Sequence, residues 1–283
     1  MNILVRILSF VALVQFSACV RAQQTLSVPR ADGASTPLTI YEPATSAACA
    51  PLALISHGAG GSEKAMPYLG AALSKDGWRV LIMGHQESGI GPLRADMQAL
   101  GFKRGLVKLV TNSDAYRARF LDIDAAIKWS AQRCHAPYKV LLGHSMGAMT
   151  VMLDAGAQNK LGIKTAARFD AYVALSPQGP GVVFPAGAWQ SIRAPMLLIT
   201  GTRDQGLDGD YHWREQAFTG LGPGCRWLAV IDGATHLDFG GLGKSDKKVE
   251  TATATLTIDF LDGLRAGHCA TPLTLAGVNL QTK

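Results

Sequence analysis

Short apolar runs alternate with amphipathic stretches along most of the chain, and this order limits the fold more than any other feature of the sequence. The runs are short, continuous and bounded by Gly, Pro or Ser, which is typical of parallel strands covered on both faces. They occupy residues 52–56, 79–83, 140–143, 171–175, 196–200 and 227–231, after two extended segments at 25–28 and 38–41. Helices are predicted at 63–75, 113–132, 146–158, 208–219 and 245–265. The order predicts an α/β fold, with a mostly parallel sheet and helices on both faces.

The first 22 residues have the pattern of a secretory signal peptide. They hold no acidic residue, carry Arg6 before an apolar run, and end in Val20-Arg21-Ala22. The run is too short for a stable membrane span, so we predict cleavage after Ala22, leaving residues 23–283 as a single domain. Two alternatives are a lipoprotein signal, because Ser17-Ala18-Cys19 resembles the end of a lipobox, and a buried N-terminal helix. The prediction is a secreted or periplasmic protein.

Charge and cysteine content narrow the classes of partner and site. The formal net charge of +6 is small and evenly spread, which argues against a nucleic-acid partner. After export four cysteines remain, and none of their spacings is short enough for a zinc site. Two disulfides are therefore predicted. Because Cys49 and Cys134 each precede a predicted strand, we favour Cys49 with Cys134 and Cys225 with Cys269 over the other two connectivities.

One motif indicates a nucleophile. Residues Gly143-His144-Ser145-Met146-Gly147 form the G-x-S-x-G pattern, which by itself is a weak signal. Here a predicted strand precedes the motif and a predicted helix follows it, so Ser145 falls on the turn between them. The flanking glycines allow this turn to be sharp. The sequence predicts a serine hydroxyl held out of the sheet at the start of a helix.

A serine hydroxyl needs a base and a carboxylate that orients the base. Of the seven histidines, His236 has the best position, in a loop just beyond the last predicted strand. Asp204 follows the strand at 196–200 and is the predicted carboxylate, with Asp208 and Asp210 as alternatives that would otherwise cap a helix. The chain order Ser, Asp, His is that of α/β-hydrolases.

Main-chain amides are the expected oxyanion donors. One is the amide of Met146, the residue after the nucleophile. The other is expected in the glycine-rich turn His57-Gly58-Ala59-Gly60-Gly61, where Ala59 is favoured and Gly60 is the second choice. This turn does not match a P-loop, since no Lys-Ser/Thr pair follows it. No cofactor or metal is expected.

These residues together resemble secreted α/β-hydrolases, in the group of cutinase-like polyester hydrolases, platelet-activating-factor acetylhydrolases and dienelactone hydrolases. Ser56-His57-Gly58, the motif at 143–147 and the segment 189–195 are similar to cutinase-like enzymes. The segment 116–122 resembles the other two groups. The resemblance implies a serine esterase acting on a small-molecule or lipid-like ester. A peptidase or acyltransferase with the same triad, and a non-catalytic binding module, are the alternatives.

The chain differs from these families at two places. Cutinase-like enzymes keep a Trp shortly after the strand that corresponds to 171–175, where this chain has Gln178-Gly179-Pro180-Gly181. Dienelactone hydrolases use Cys where this chain has Ser145. Residues 85–112 form a long connection, which is expected to be either a substrate-facing flap or a surface helix packed on the domain.

Overall fold

The computed structural model describes residues 23–43, 49–206, 209–241, 243–269 and 271–283. The predicted leader, residues 1–22 with Cys19, lies outside these ranges. The strands of the described part are β1 (Gln24–Pro29), β2 (Ser35–Tyr41), β3 (Leu52–Ser56), β4 (Arg79–Met83), β5 (Lys139–His144), β6 (Ala171–Leu175), β7 (Met196–Arg203), β8 (Arg226–Thr235) and β9 (Val278–Thr282). They form one sheet in the order β1-β2-β4-β3-β5-β6-β7-β8-β9.

The six central strands, β4 to β8 with β3 among them, are parallel. β1, β2 and β9 pair antiparallel with their neighbours at the two edges. This confirms the mostly parallel sheet predicted from the apolar runs. Because the strands are parallel, the loops that follow β5, β7 and β8 all leave the same edge of the sheet.

Seven helices occur in the described ranges. They are α1 (Pro67–Lys75), α2 (Ile90–Leu100), α3 (Phe102–Val110), α4 (Ser113–Ala131), α5 (Met146–Asp154), α6 (Tyr211–Gly220) and α7 (Lys247–Arg265). Side chains of α3, α4, α5 and α6 pack on one face of the sheet, and those of α1 and α7 pack on the other. Strand residues alternate between these two layers, as the pleat requires. Within the described ranges, no helix has the length and apolar character to cross a bilayer.

Three of the predicted helices begin or end several residues away from the predicted position. The helix predicted from residue 63 begins at Pro67, because Met66 before it has a positive φ of 50°. The helix predicted to reach residue 158 ends at Asp154, and Gly156 then takes a φ of 99° that terminates the helix. The helix predicted from residue 208 begins at Tyr211. In each case a local backbone conformation overrides the apolar periodicity.

The two predicted disulfide pairings are confirmed by distance. The Cα atoms of Cys49 and Cys134 are 5.6 Å apart, and those of Cys225 and Cys269 are 5.5 Å apart. The first bridge ties the chain before β3 to the chain after α4. The second ties the start of β8 to the chain after α7. The C-terminal strand β9 was not predicted, because its sequence VNLQT lacks an apolar run.

The long connection at 85–112 is helical. A short 3-10 helix, Gln86–Ser88, leads into α2 and α3, which pack against each other. A Cβ on Gly105 of α3 would stand 2.6 Å from the backbone of α2, so glycine permits this close packing. Lys108 and Asp96 also join the two helices through an ion pair of 2.6 Å. The role of this segment as a substrate-facing flap stays a prediction.

Candidate active site

Ser145 lies on the turn between β5 and α5 in a strained conformation. Its φ is 56° and its ψ is −114°, outside the regions that residues with a side chain prefer. A Cβ on Gly147 would stand 1.9 Å from the carbonyl oxygen of Ser56, and one on Gly143 would stand 2.3 Å from that of Gly147. Both positions therefore require glycine. The packing of β3, β5 and α5 holds the turn in a conformation that would not persist alone.

The structure brings Ser145, His236 and Asp204 together. His236 Nε2 is 3.0 Å from Ser145 Oγ, and His236 Nδ1 is 2.8 Å from Asp204 Oδ1. Asp204 follows β7 and His236 follows β8, so both reach the edge where β5 delivers the serine. If Nδ1–H donates to the carboxylate, Nε2 is left to accept the Ser145 hydroxyl proton. Asp204 is fully buried, whereas the His236 side chain is about one-third exposed.

Arg214 of α6 contacts Asp204, and it was not among the candidate residues from the sequence. Its Nε lies 2.9 Å from Asp204 Oδ1, and the residue is only 4% exposed. It donates hydrogen bonds to four main-chain carbonyl oxygens, those of Ser176, Pro177, Asp204 and Gln205. No sequence pattern indicates this role, because all of these hydrogen-bond partners lie outside α6, in other elements of the fold.

Charge and burial oppose each other at Asp204. Burial raises the pKa of this carboxyl, but the hydrogen bond from His236 and the positive charge of Arg214 outweigh burial and lower it below its ordinary value. Asp204 is therefore ionised at neutral pH. A carboxylate in this state can hold His236 in one orientation and stabilise a positive charge on its ring.

The predicted oxyanion donors are the main-chain amides of Ala59 and Met146. Among the described residues, none accepts a hydrogen bond from the amide of Ala59 or of Met146. The amide of Gly60, the second choice from the sequence, instead donates to the carbonyl oxygen of Ser88 at 2.8 Å. A Cβ on Gly58 would stand 3.2 Å from Ser145 Cβ, so the glycine-rich turn lies directly against the serine. The contacts favour Ala59 over Gly60 as a donor.

Comparison with known proteins identifies the fold. No protein-family model and no curated protein sequence matches the chain. Among solved structures, a dienelactone hydrolase from Anabaena variabilis is 20% identical, with a TM-score of 0.52 over 85% of this chain and 97% of that one. A putative dienelactone hydrolase from Klebsiella pneumoniae is 14% identical, with a TM-score of 0.60 over 82% and 94%. A cold-adapted esterase from an Arctic intertidal metagenomic library is 17% identical, with a TM-score of 0.57 over 85% and 92%.

The chain has the α/β-hydrolase fold. This confirms the fold class predicted from the alternating apolar runs and from the resemblance.

Two histidines of this α/β-hydrolase fold act as buried neutral supports. His144 Nε2 donates to the carbonyl oxygen of His236 at 2.9 Å, and burial together with the nearby His236 lowers the pKa of His144 to about 3. His57 Nε2 accepts from the amide of His85 at 2.9 Å, and burial lowers its pKa well below the ordinary value. These contacts hold the His236 loop and the glycine-rich turn in place.

A second polar cluster lies behind the glycine-rich turn. His85 Nδ1 is 2.7 Å from Asp122 Oδ2, and His85 Nε2 is 2.8 Å from Ser56 Oγ. Arg119 donates to Ser56 Oγ at 3.0 Å and to the carbonyl oxygen of His57 at 2.7 Å. All these side chains are 0–1% exposed, so this second Asp-His-Ser series has no access to a substrate. The segment 116–122, quoted for its resemblance, supplies Arg119 and Asp122.

Asp210, one of the two alternative carboxylates from the sequence, does not join the site. Asp210 caps α6 by accepting from the amide of His212 at 3.0 Å, and His212 pairs with Glu215 at 2.7 Å. Asp208 lies outside the described residues. No group of three or more His, Cys, Asp or Glu side chains that could hold a metal ion occurs in the described ranges.

A small pocket of about 140 Å³ opens beside Ser145 and His236. Its apolar walls come from three helices, through Leu106 and Val110 of α3, Met149 of α5 and Trp213 of α6. Gln178, from the loop after β6, also lines it. The pocket therefore places an apolar recess next to the serine hydroxyl.

Proposed function

We propose that the protein hydrolyses carboxylic esters, with Ser145 as nucleophile, His236 as general base and acid, and Asp204 as the group that orients His236. The observation that carries this proposal is the continuous chain of contacts from Asp204 to Ser145, at 2.8 Å and 3.0 Å, beside an open pocket. Distances of this kind are what nucleophilic catalysis by serine requires.

In the proposed reaction, Ser145 Oγ attacks the ester carbonyl carbon while His236 Nε2 takes the hydroxyl proton. The negative charge that forms on the carbonyl oxygen is stabilised by the amides of Ala59 and Met146, each worth about 3 kcal/mol of barrier. The carbon–oxygen bond to the alcohol then breaks, and His236 gives its proton to the leaving alcohol. Water attacks the acyl-enzyme along the same proton path and restores the serine. The proposal invokes no cofactor or metal.

The test is covalent labelling and ester turnover. Wild type is expected to react with a fluorophosphonate probe and to release 4-nitrophenol from a short-chain ester with an initial burst, and Ser145→Ala is expected to lose both. Ser27→Ala, at an exposed position of β1, is the matched control. Undiminished turnover in Ser145→Ala would refute the assignment. A faster reaction with the matched anilide than with the ester would favour a peptidase, and transfer to an added alcohol in preference to water would favour an acyltransferase.

We also propose that the protein works in an oxidising compartment after loss of residues 1–22. Two cysteine pairs at disulfide distance support this location, because cytosolic thiols are kept reduced. Mass spectrometry of the exported protein is expected to find Gln23 at the N-terminus. A mass that includes a lipid on Cys19 would instead support a lipoprotein anchor.

A further inference from the structure

Gln178 is a buried polar side chain with no hydrogen-bond partner in the described part of the chain, and it lines the pocket that contains Ser145. The residue is only 7% exposed. Its side-chain amide makes no hydrogen bond with any described residue, and neither polar atom is fully sealed from open space. Buried amides are nearly always hydrogen-bonded, so one that faces a pocket indicates a group that binds there.

The loop that carries Gln178 is held rigidly. Trp213 Nε1 donates to the carbonyl oxygen of Pro180 at 2.8 Å, and Arg214 donates to that of Pro177 at 3.0 Å. A Cβ on Gly179 would stand 2.1 Å from the carbonyl oxygen of Trp213, so the loop lies directly on α6. The Gln178 amide is therefore presented on a fixed backbone, as a binding group requires.

Size and charge define what the pocket can accept. Its volume of about 140 Å³ is close to that of an engineered cavity that holds benzene, so the recess matches a short acyl chain. Arg214, which also lines the pocket, directs its donors to four carbonyl oxygens and to Asp204. Since its charge is already compensated, the pocket favours a neutral substituent over a carboxylate.

We propose that Gln178 selects esters of short acyl groups that carry a neutral hydroxyl or carbonyl substituent, by hydrogen-bonding that substituent. The apolar walls contact the carbon chain, and the Gln178 amide serves as donor or acceptor to the oxygen. This inference rests on the proposed ester hydrolysis and names its substrate class.

The experiment compares two esters that differ only in the substituent, 4-nitrophenyl butyrate and 4-nitrophenyl 3-hydroxybutyrate. We expect wild type to prefer the hydroxylated ester about tenfold in kcat/KM, as one neutral hydrogen bond allows. Gln178→Leu and Gln178→Met are expected to lose this preference, because kcat/KM should fall more on the hydroxylated ester than on the plain butyrate. Gln158→Leu, at an exposed position after α5, is the matched control and should keep the preference.

Each outcome separates the two proposals. Suppose that Ser145 is labelled and both esters are cleaved. If wild type then shows no preference, or if both Gln178 variants keep it, the selectivity is refuted and the ester hydrolysis stands. An equal loss on both esters would show that Gln178 only supports the fold, and would also refute the selectivity. If wild type neither reacts with the fluorophosphonate nor cleaves either ester, both proposals fail.

Discussion

Replacing Arg214 by methionine removes the cation that compensates the buried carboxylate of Asp204. The methionine fills much of the same volume, so the main change is the loss of charge and of hydrogen-bond donors. Four main-chain carbonyl oxygens lose a donor, and the 2.9 Å contact with Asp204 Oδ1 disappears. Burial then acts without opposition from the guanidinium, and the pKa of Asp204 rises.

The size of the expected stability loss follows from the burial of the Arg214–Asp204 ion pair. Asp204 is fully buried and Arg214 is 4% exposed, so solvent screens the pair very little. Removing one partner of a buried ion pair costs about 3–5 kcal/mol, because the other charge is left uncompensated. For a domain of this size each kcal/mol lowers Tm by about 2–4 °C. We expect Arg214→Met to lower Tm by about 10 °C at pH 7.

The assay is thermal unfolding followed by circular dichroism, with urea unfolding at 25 °C for the free energy. Arg193→Met is the matched control, since Arg193 is exposed and, among the described residues, its side chain donates only to the carbonyl oxygen of Gln190. The control should change the free energy of unfolding by less than about 0.5 kcal/mol. A Tm for Arg214→Met within 2 °C of wild type would refute the argument from buried charge.

Three further predictions concern packing, pH and cross-linking. Gly147→Ala places a Cβ 1.9 Å from the carbonyl oxygen of Ser56, and the backbone shift should slow fluorophosphonate labelling by about 100-fold; an unchanged labelling rate would contradict this. Acid should destabilise the fold, because burial lowers the pKa of three histidines, His57, His85 and His144. Below about pH 6.5 these side chains take up protons in the unfolded chain but not in the folded protein. Asp122 opposes this trend between about pH 6 and 4, since burial raises its pKa to about 6. From pH 7 to 5 the free energy of unfolding, measured in urea, should fall by about 4 kcal/mol in total. Equal free energies of unfolding at pH 7 and pH 5 would refute this prediction. Replacing Cys49 and Cys134 together by Ser opens a loop with a sequence separation of 85, and should cost about 4 kcal/mol in the same assay; a reduced wild type as stable as the oxidised form would contradict it.

Local sequence patterns predict much of the fold and the main elements of the candidate site. Strands β3, β4 and β6 begin and end at the predicted residues, because continuous apolar runs bounded by turn residues allow few alternatives. The turn at Ser145 follows from the glycines on either side. Chain order and strand ends were enough to select Asp204 and His236, and the structure brings both within hydrogen-bonding distance of their predicted neighbours. Their catalytic roles stay a proposal.

Other features depend on contacts between residues far apart in the sequence. The amide of Gly60 is occupied by Ser88, which no pattern within the glycine-rich turn could indicate. In the sequence, Arg214 and Gln178 resemble ordinary polar residues of a helix and a loop. Their burial beside the site depends on the packing of α6 against the chain after β6. The sequence by itself determined the order of the strands along the chain, the sharp turn and the types of residue available for chemistry. Only the tertiary structure decided which amides stay unpaired and which charges are compensated, because desolvation and hydrogen bonding at a buried position depend on every element packed around it.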